Sequence, residues 1–151
     1  MNRRRHPTAT SRPMDIFSPE KRSRIMRRVR SENTKPEMVV RRLAHGLGYR
    51  FRLHRKDLPG RPDLVFAGRR KIIFVHGCFW HQHSCRRGSR TPSTRREYWL
   101  AKLQGNVARD KTVVRRLRTL GWGVMVVWEC QTTPGKLDRL AGRIARFLEK
   151  S

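Results

Sequence analysis

The chain has 151 residues, with 37 Lys+Arg against 11 Asp+Glu and a formal net charge of +26. That length suits one domain with its own core, and so large an excess of cations points to a polyanion, nucleic acid before a membrane surface. No apolar run reaches the roughly 18 residues of a spanning helix, and no apolar stretch near the N-terminus resembles a secretory signal, so a cytoplasmic protein is expected.

Residues 1–17, "MNRRRHPTATSRPMDIF", are basic and poor in aliphatics. They read as a disordered arm able to touch phosphate, with Met14 an alternative start and residues 18–151 the single folded domain. A first helix is expected after Ser18 as N-cap and Pro19 at its first position, with Ile25, Met26 and Val29 on its apolar side. A second begins at "TKPE", where Thr34 and Glu37 have capping-box spacing; Val39, Val40, Leu43 and Leu47 form its expected buried stripe and Gly48 ends it. "RFRLH" then alternates like a strand and "KDLPGRP" is turn material. "DLVFA", opening on Asp63, and "KIIFVH", ending on His76, read as an antiparallel hairpin.

After the basic loop over 86–96, a long helix is expected from about Arg95 to Leu120. Leu100, Leu103, Val107, Val114, Leu117 and Leu120 make its core stripe, and Lys102, Asn106 and Asp110 a separate polar line at i, i+4, i+8. "WGVMVVWEC" reads as a buried strand ending on Cys130, and "KLDRLAGRIARFLEK" as an amphipathic helix. The order ααβββαβα implies an α/β fold, a mixed sheet flanked by helices.

Chemistry concentrates in "HGCFWHQHSC", residues 76–85. A structural zinc takes four thiolate or imidazole ligands at tetrahedral corners. Cys78, His83 and Cys85 offer three locally, and Cys130 the fourth from a distant strand, which uses every cysteine in the chain. The competing reading is three ordinary buried cysteines beside surface histidines. His76 and His81 remain outside that set. If the hairpin is right, Asp63 lies beside the end of "KIIFVH". A carboxylate there can hold Mg2+, and a histidine can take a proton from water. On so basic a protein this combination suggests phosphodiester hydrolysis. Each residue has a plainer reading: Asp63 as turn chemistry, Glu37 as a cap, a lone histidine as a surface group.

"LPGRPDLVF", "FVHGCFWHQHSC", "TRREYWLAKLQGNVARD" and "GWGVMVVWEC" together resemble the very short patch repair (Vsr) DNA mismatch endonucleases, with the motifs in family order from about Ser18 to Cys130. The resemblance implies a restriction-endonuclease-like, PD-(D/E)xK-type fold in which His76 falls where a lysine is usual. It implies Mg2+-dependent nicking 5′ to the T of a T·G mismatch, the product of 5-methylcytosine deamination. Asp63 and the Val75 backbone carbonyl would hold Mg2+. His81 would act as the base, oriented by Asp110; His76 would act near the scissile phosphate, and Glu37 would support the site. Cys78, His83, Cys85 and Cys130 match the family's structural zinc ligands. Phe79, Trp80 and Trp99 would be wedges beside the mismatch, and Met26 would probe the duplex from the opposite groove. Lys102 and Asn106 would contact DNA.

Two departures stand out. Val75 replaces a frequent Thr, which preserves a backbone ligand but removes a hydroxyl. Gln82 and Ser84 interrupt a histidine run. The expected partner is double-stranded DNA carrying T·G, bound by a monomer because a mismatch is asymmetric, with mismatch-repair proteins as further candidates. The rivals are a zinc-stapled DNA-binding module without activity and a related nuclease with another lesion preference.

Overall fold

The computed structural model describes residues 32–150. The expected basic arm, the first helix and Met26 lie outside the described residues.

Helix α1, Lys35–Gly46, starts where the spacing predicts: the Thr34 hydroxyl accepts the Glu37 N–H, and Pro36 occupies the first turn, where a missing N–H does no harm. The Glu37 carboxylate accepts the N–H of Asn33, not that of Thr34, so the box closes one residue early. The helix ends as Gly48 enters the left-handed region at φ 89. Its buried face is Glu37, Val40 and Ala44. Leu47, expected inside, is 41% exposed because it lies past the last turn that meets the sheet.

The sheet has four strands in the order β1 (Arg52–Leu53), β2 (Leu64–Phe66), β3 (Lys71–His76), β4 (Gly123–Trp128). The first two pairings are antiparallel and β3 runs parallel to β4. The expected β2–β3 hairpin is present, with Leu64 opposite Ile73. β1 is only two residues long, shorter than the alternation in "RFRLH" suggests. Helix α2, Arg96–Thr119, is the crossover that a parallel pair requires. Helix α3, Leu137–Glu149, closes the fold.

Side-chain alternation divides the core into two layers. Ile73 and Val75 of β3, with Met125 and Val127 of β4, face α1 and α3, where they meet Val40, Leu140, Ile144 and Leu148. Ile72, Phe74, Val124 and Val126 face α2 and meet Val113 and Leu117. By the same parity His76 and Trp128, paired in register, end their strands on the α2 side. On α2, Leu103 and Leu117 are buried as expected, but Leu120 is 54% exposed beyond the end of the helix, and Val113 packs in its place. Cys130 lies two residues past β4, in a 3-10 turn over Glu129–Gln131, so the strand itself stops short of it. No helix among the described residues is long and apolar enough to cross a membrane.

Ile144 is fully buried and Leu120 is not. Ile144→Ala is expected to lower unfolding stability by about 2–5 kcal/mol, whereas Leu120→Ala should change it by no more than about 0.5 kcal/mol. Urea unfolding of both variants checks this. An equal loss would return Leu120 to the core.

Candidate active site and metal centre

Three groups of metal-binding or proton-transferring side chains gather at the carboxyl ends of β3 and β4, the end of a parallel pair where open α/β sheets bind ligands. The first is Cys78, His83, Cys85 and Cys130, whose donor atoms all lie within 4.8 Å of one another. The four residues expected from sequence to share a metal are therefore brought together, and all three thiols are free. Backbone N–H groups point at two of the sulfurs: Cys130 N donates to Cys78 Sγ and Gly88 N to Cys85 Sγ, each at 3.4 Å. Gly88 is fixed by packing, since a Cβ there would meet the His83 carbonyl oxygen at 2.0 Å. The Gly88 N–H draws the Cys85 thiol down to about 6, while burial pushes Cys78 up to about 12. A soft divalent cation removes that conflict by taking both as thiolates, so the donor set fits a tetrahedral metal.

The loop carrying these residues is held on two further sides. Glu129 accepts from Cys78 N at 3.3 Å and is paired with Arg87. Gln82, with φ 51, donates its amide to the carbonyls of Phe79 and Gly88. The residue that interrupts the histidine run is thus a loop brace.

The second group is His76, His81 and Asp110. The two imidazoles are stacked, with centroids 3.9 Å apart and planes within 7°. His81 Nδ1 lies 2.6 Å from Asp110 Oδ2. A carboxylate at Nδ1 takes the N–H there and leaves Nε2 with its lone pair. Burial, then the neighbouring His81, pushes His76 down to about 4, so it is neutral at physiological pH.

The third group is Glu37, His54 and Asp63. Asp63 Oδ2 accepts the Val75 N–H at 2.7 Å. In an extended strand the N–H and C=O of one residue point to the same side, so the Val75 carbonyl also faces Asp63. Continuing the β2–β3 register would set Pro62 opposite Val75, and proline has no N–H to offer that carbonyl. A carboxylate and a carbonyl that no donor claims among the described residues, side by side, are hard oxygen donors suited to Mg2+. Glu37 is 1% exposed and fully engaged: it pairs with Arg41 and meets His54 Nε2 at 2.5 Å. It therefore both caps α1 and braces this corner. His54, absent from the sequence reading, ties Glu37 to the strand, because its own N–H donates to the Asp63 carbonyl at 3.3 Å. Only the alternation of "RFRLH" was visible in sequence, and nothing local marked the histidine.

Phe79, Trp80 and Trp99 form one half-buried aromatic cluster, with centroids 5.1–6.0 Å apart. The polar line of α2 supports it. Lys102 Nζ lies 5.5 Å from the Trp80 ring and 5.6 Å from the Trp99 ring, and Asn106 donates to the Trp80 carbonyl at 3.0 Å. Asp110 is the last member of that line.

A family model described as DNA mismatch endonuclease Vsr matches residues 14–87. Among relatives, a type II nicking enzyme, V.XorIIP, of Xanthomonas oryzae pv. oryzae is 51% identical over 137 residues, 91% of this chain and 98% of its own. The DNA mismatch endonuclease Vsr of Escherichia coli is 44% identical over 116 residues, covering 77% of this chain and 74% of that protein. This chain belongs to the Vsr family. As a member it is a DNA endonuclease, and the motifs that signalled the resemblance carry the first two clusters whole and Asp63 of the third. A third relative, the nicking enzyme V.NmeAIP of Neisseria meningitidis, is 40% identical over 117 residues, 78% of this chain and 83% of its own.

Burial first, then the nearby Glu37, raises Asp63 from 3.8 to about 6, against the opposing pull of the Val75 N–H. Below pH 4 the carboxyl is protonated whether folded or unfolded. Between pH 4 and 6 the unfolded chain ionises first, so the wild type loses stability relative to Asp63→Asn, whose amide oxygen still accepts from Val75. In buffer without added divalent cations, Asp63→Asn should be more stable by about 3 kcal/mol above pH 6, with the difference vanishing below pH 4. Thermal unfolding across pH measures it. A variant less stable at pH 7 would show the carboxylate to be favourably held.

Proposed function

We propose that this endonuclease nicks duplex DNA 5′ to the T of a T·G mismatch, using Mg2+ at Asp63 and the Val75 carbonyl and a structural zinc at Cys78, His83, Cys85 and Cys130. The observation that carries the reading is the end of β3. Val75 and His76 are consecutive; one is hydrogen-bonded to Asp63 and the other is stacked on His81. The last two residues of one strand thus join the oxygen-donor corner to the histidine pair. Asp63 directly after Pro62, followed by a strand ending Phe74-Val75-His76, fits a PD-(D/E)xK-type fold with histidine in the lysine position.

When bound, Mg2+ would supply Lewis acidity at the scissile phosphate. The chain's own residues supply the rest. Asp110 holds His81 so that its Nε2 can take a proton from the attacking water. His76, neutral and 8% exposed, can meet a phosphate or leaving oxygen without placing a second cation against His81. Glu37, His54 and Arg41 hold the Asp63 corner in place. The zinc cluster would fix the loop on which His81 and the aromatic cluster sit, and monomeric action in the cytoplasm suits an asymmetric lesion.

Phe79, Trp80 and Trp99 are read as the wedge. Unstacking a base step costs roughly a few kcal/mol and least at a mismatch, so a rigid aromatic block discriminates by itself. Lys102 and Asn106 contribute by stiffening the block, and Lys102 adds a cation at the duplex. Met26 is proposed to contact the opposite groove.

End-labelled duplexes differing only in one T·G or T·A pair test the proposal. With Mg2+, a single cut 5′ to the mispaired T is expected from the intact protein and a loss of at least about a thousandfold in rate from Asp63→Ala. A cut at another lesion, or one that survives the substitution, overturns the assignment. Cys130→Ala should lose bound zinc, read by elemental analysis, together with several degrees of melting temperature. A variant retaining one zinc per chain would refute the ligand set.

A further inference from the structure

An open groove of about 760 Å³ runs from His76 and His81 along α2, between that helix and β4. Its floor is apolar, with Val114 from the helix and Val126 and Trp128 from the strand. Its rim carries Lys111, Arg115 and Arg118, which at i, i+4 and i+7 share one face of the helix. All three are exposed, and among the described residues none forms an ion pair with a carboxylate. A merely solvated row of cations needs no apolar floor, and a floor without cations would not select an anion. The two together fit a sugar-phosphate chain, with deoxyribose faces on the floor and phosphates at the rim.

We infer that this groove binds the backbone of the strand being cut, on one side of the scissile phosphate. One end of the groove is the histidine pair itself, so its occupant is continuous with whatever lies at that pair. From Asp110 to Arg118 is eight residues, ~12 Å of helix at 1.5 Å each, a length equal to roughly three to four nucleotides of duplex axis at about 3.4 Å each. This deepens the proposed function, since it rests on His76 and His81 meeting the scissile phosphate.

The test compares the full chain with Arg115→Gln/Arg118→Gln. A control pair, Arg139→Gln/Arg146→Gln, removes the same charge from exposed positions on α3, across the sheet. Binding to a matched duplex is measured as a function of salt. Losing two phosphate contacts should lower the slope of log K against log salt by about 2, and the control pair should leave it unchanged. Phosphate-ethylation interference on a T·G duplex should show about three consecutive blocked positions on the cut strand, lost in the groove variant. An unchanged slope, or an equal change with the control pair, overturns the groove, as would a groove serving an acidic protein instead of DNA. Interference lost from the uncut strand overturns the strand assignment. Failure of the wild type to nick T·G would sink the proposed lesion alone, because the matched-duplex slope still decides the groove.

Discussion

The parallel pairing of β3 with β4 is the constraint on which the rest of this structure depends. It sets His76 level with Trp128, so two segments some fifty residues apart leave the sheet at the same place and in the same direction. Two of the three chemical clusters, the cysteine group and the histidine pair with Asp110, are built on that coincidence. Cys78 follows one strand by two residues and Cys130 follows the other by two, which is why a thiol so distant in sequence can close a four-donor group. The pairing needs a crossover, and the crossover is α2, which brings Asp110, Asn106 and Lys102 over the same loop. A one-residue slip of β3 against β4 would turn His76 to the face opposite Trp128, towards α1 and α3, and dissolve the arrangement.

Strand parity then divides the labour. Residues of one parity build a dry core with α3, where Ile144 and Leu148 close the fold. Residues of the other parity begin as core at Ile72 and Phe74 and end in the stacked histidine pair at His76. Val75 belongs to the first set by its side chain, yet its main chain serves the site by donating to Asp63. That separation is compatible with a valine in this position: the role proposed for residue 75 needs a backbone group at a fixed height, and a β-branched apolar side chain helps to hold the strand that supplies it.

Much of this was legible in the sequence because it is local or periodic. Thr34 and Glu37 announce a cap, the apolar runs announce β2, β3 and β4, and the spacing of Lys102, Asn106 and Asp110 announces a polar line that the structure turns into supports for Trp80 and His81. The three cysteines were legible as a candidate set because one four-donor group would use all of them, with three ordinary buried cysteines as the competing reading. What sequence could not give is the partnership of groups that meet only through tertiary packing. Glu37 has two roles because α1 lies against the turn that holds His54, and no spacing rule relates residues 37 and 54. Leu47 and Leu120 continue their helical stripes in sequence but lie past the last turn that touches the sheet, where the period persists and the burial does not. Cys130 looked like the end of a strand because "WGVMVVWEC" is apolar throughout, although the ladder stops at Trp128.

Trp128 shows why the metal-like cluster and the histidine pair should be regarded as one unit. Its indole is stacked on His83, with centroids 4.4 Å apart and planes 20° from parallel. It meets His76 edge-on at 5.4 Å, and His76 in turn is stacked on His81. Four rings therefore run in contact from the cysteine cluster to Asp110. Such a column is rigid because each ring is fixed by its neighbours' faces and edges, and both of its ends are anchored, one by thiols from two segments and the other by a carboxylate on α2. A histidine in the proton-transfer role proposed for His81 gains from being held within a fraction of an ångström, and an exposed loop rarely achieves that alone. Here the loop carrying His81 borrows its order from the two strands beneath it, through Trp128 and the cysteine cluster together.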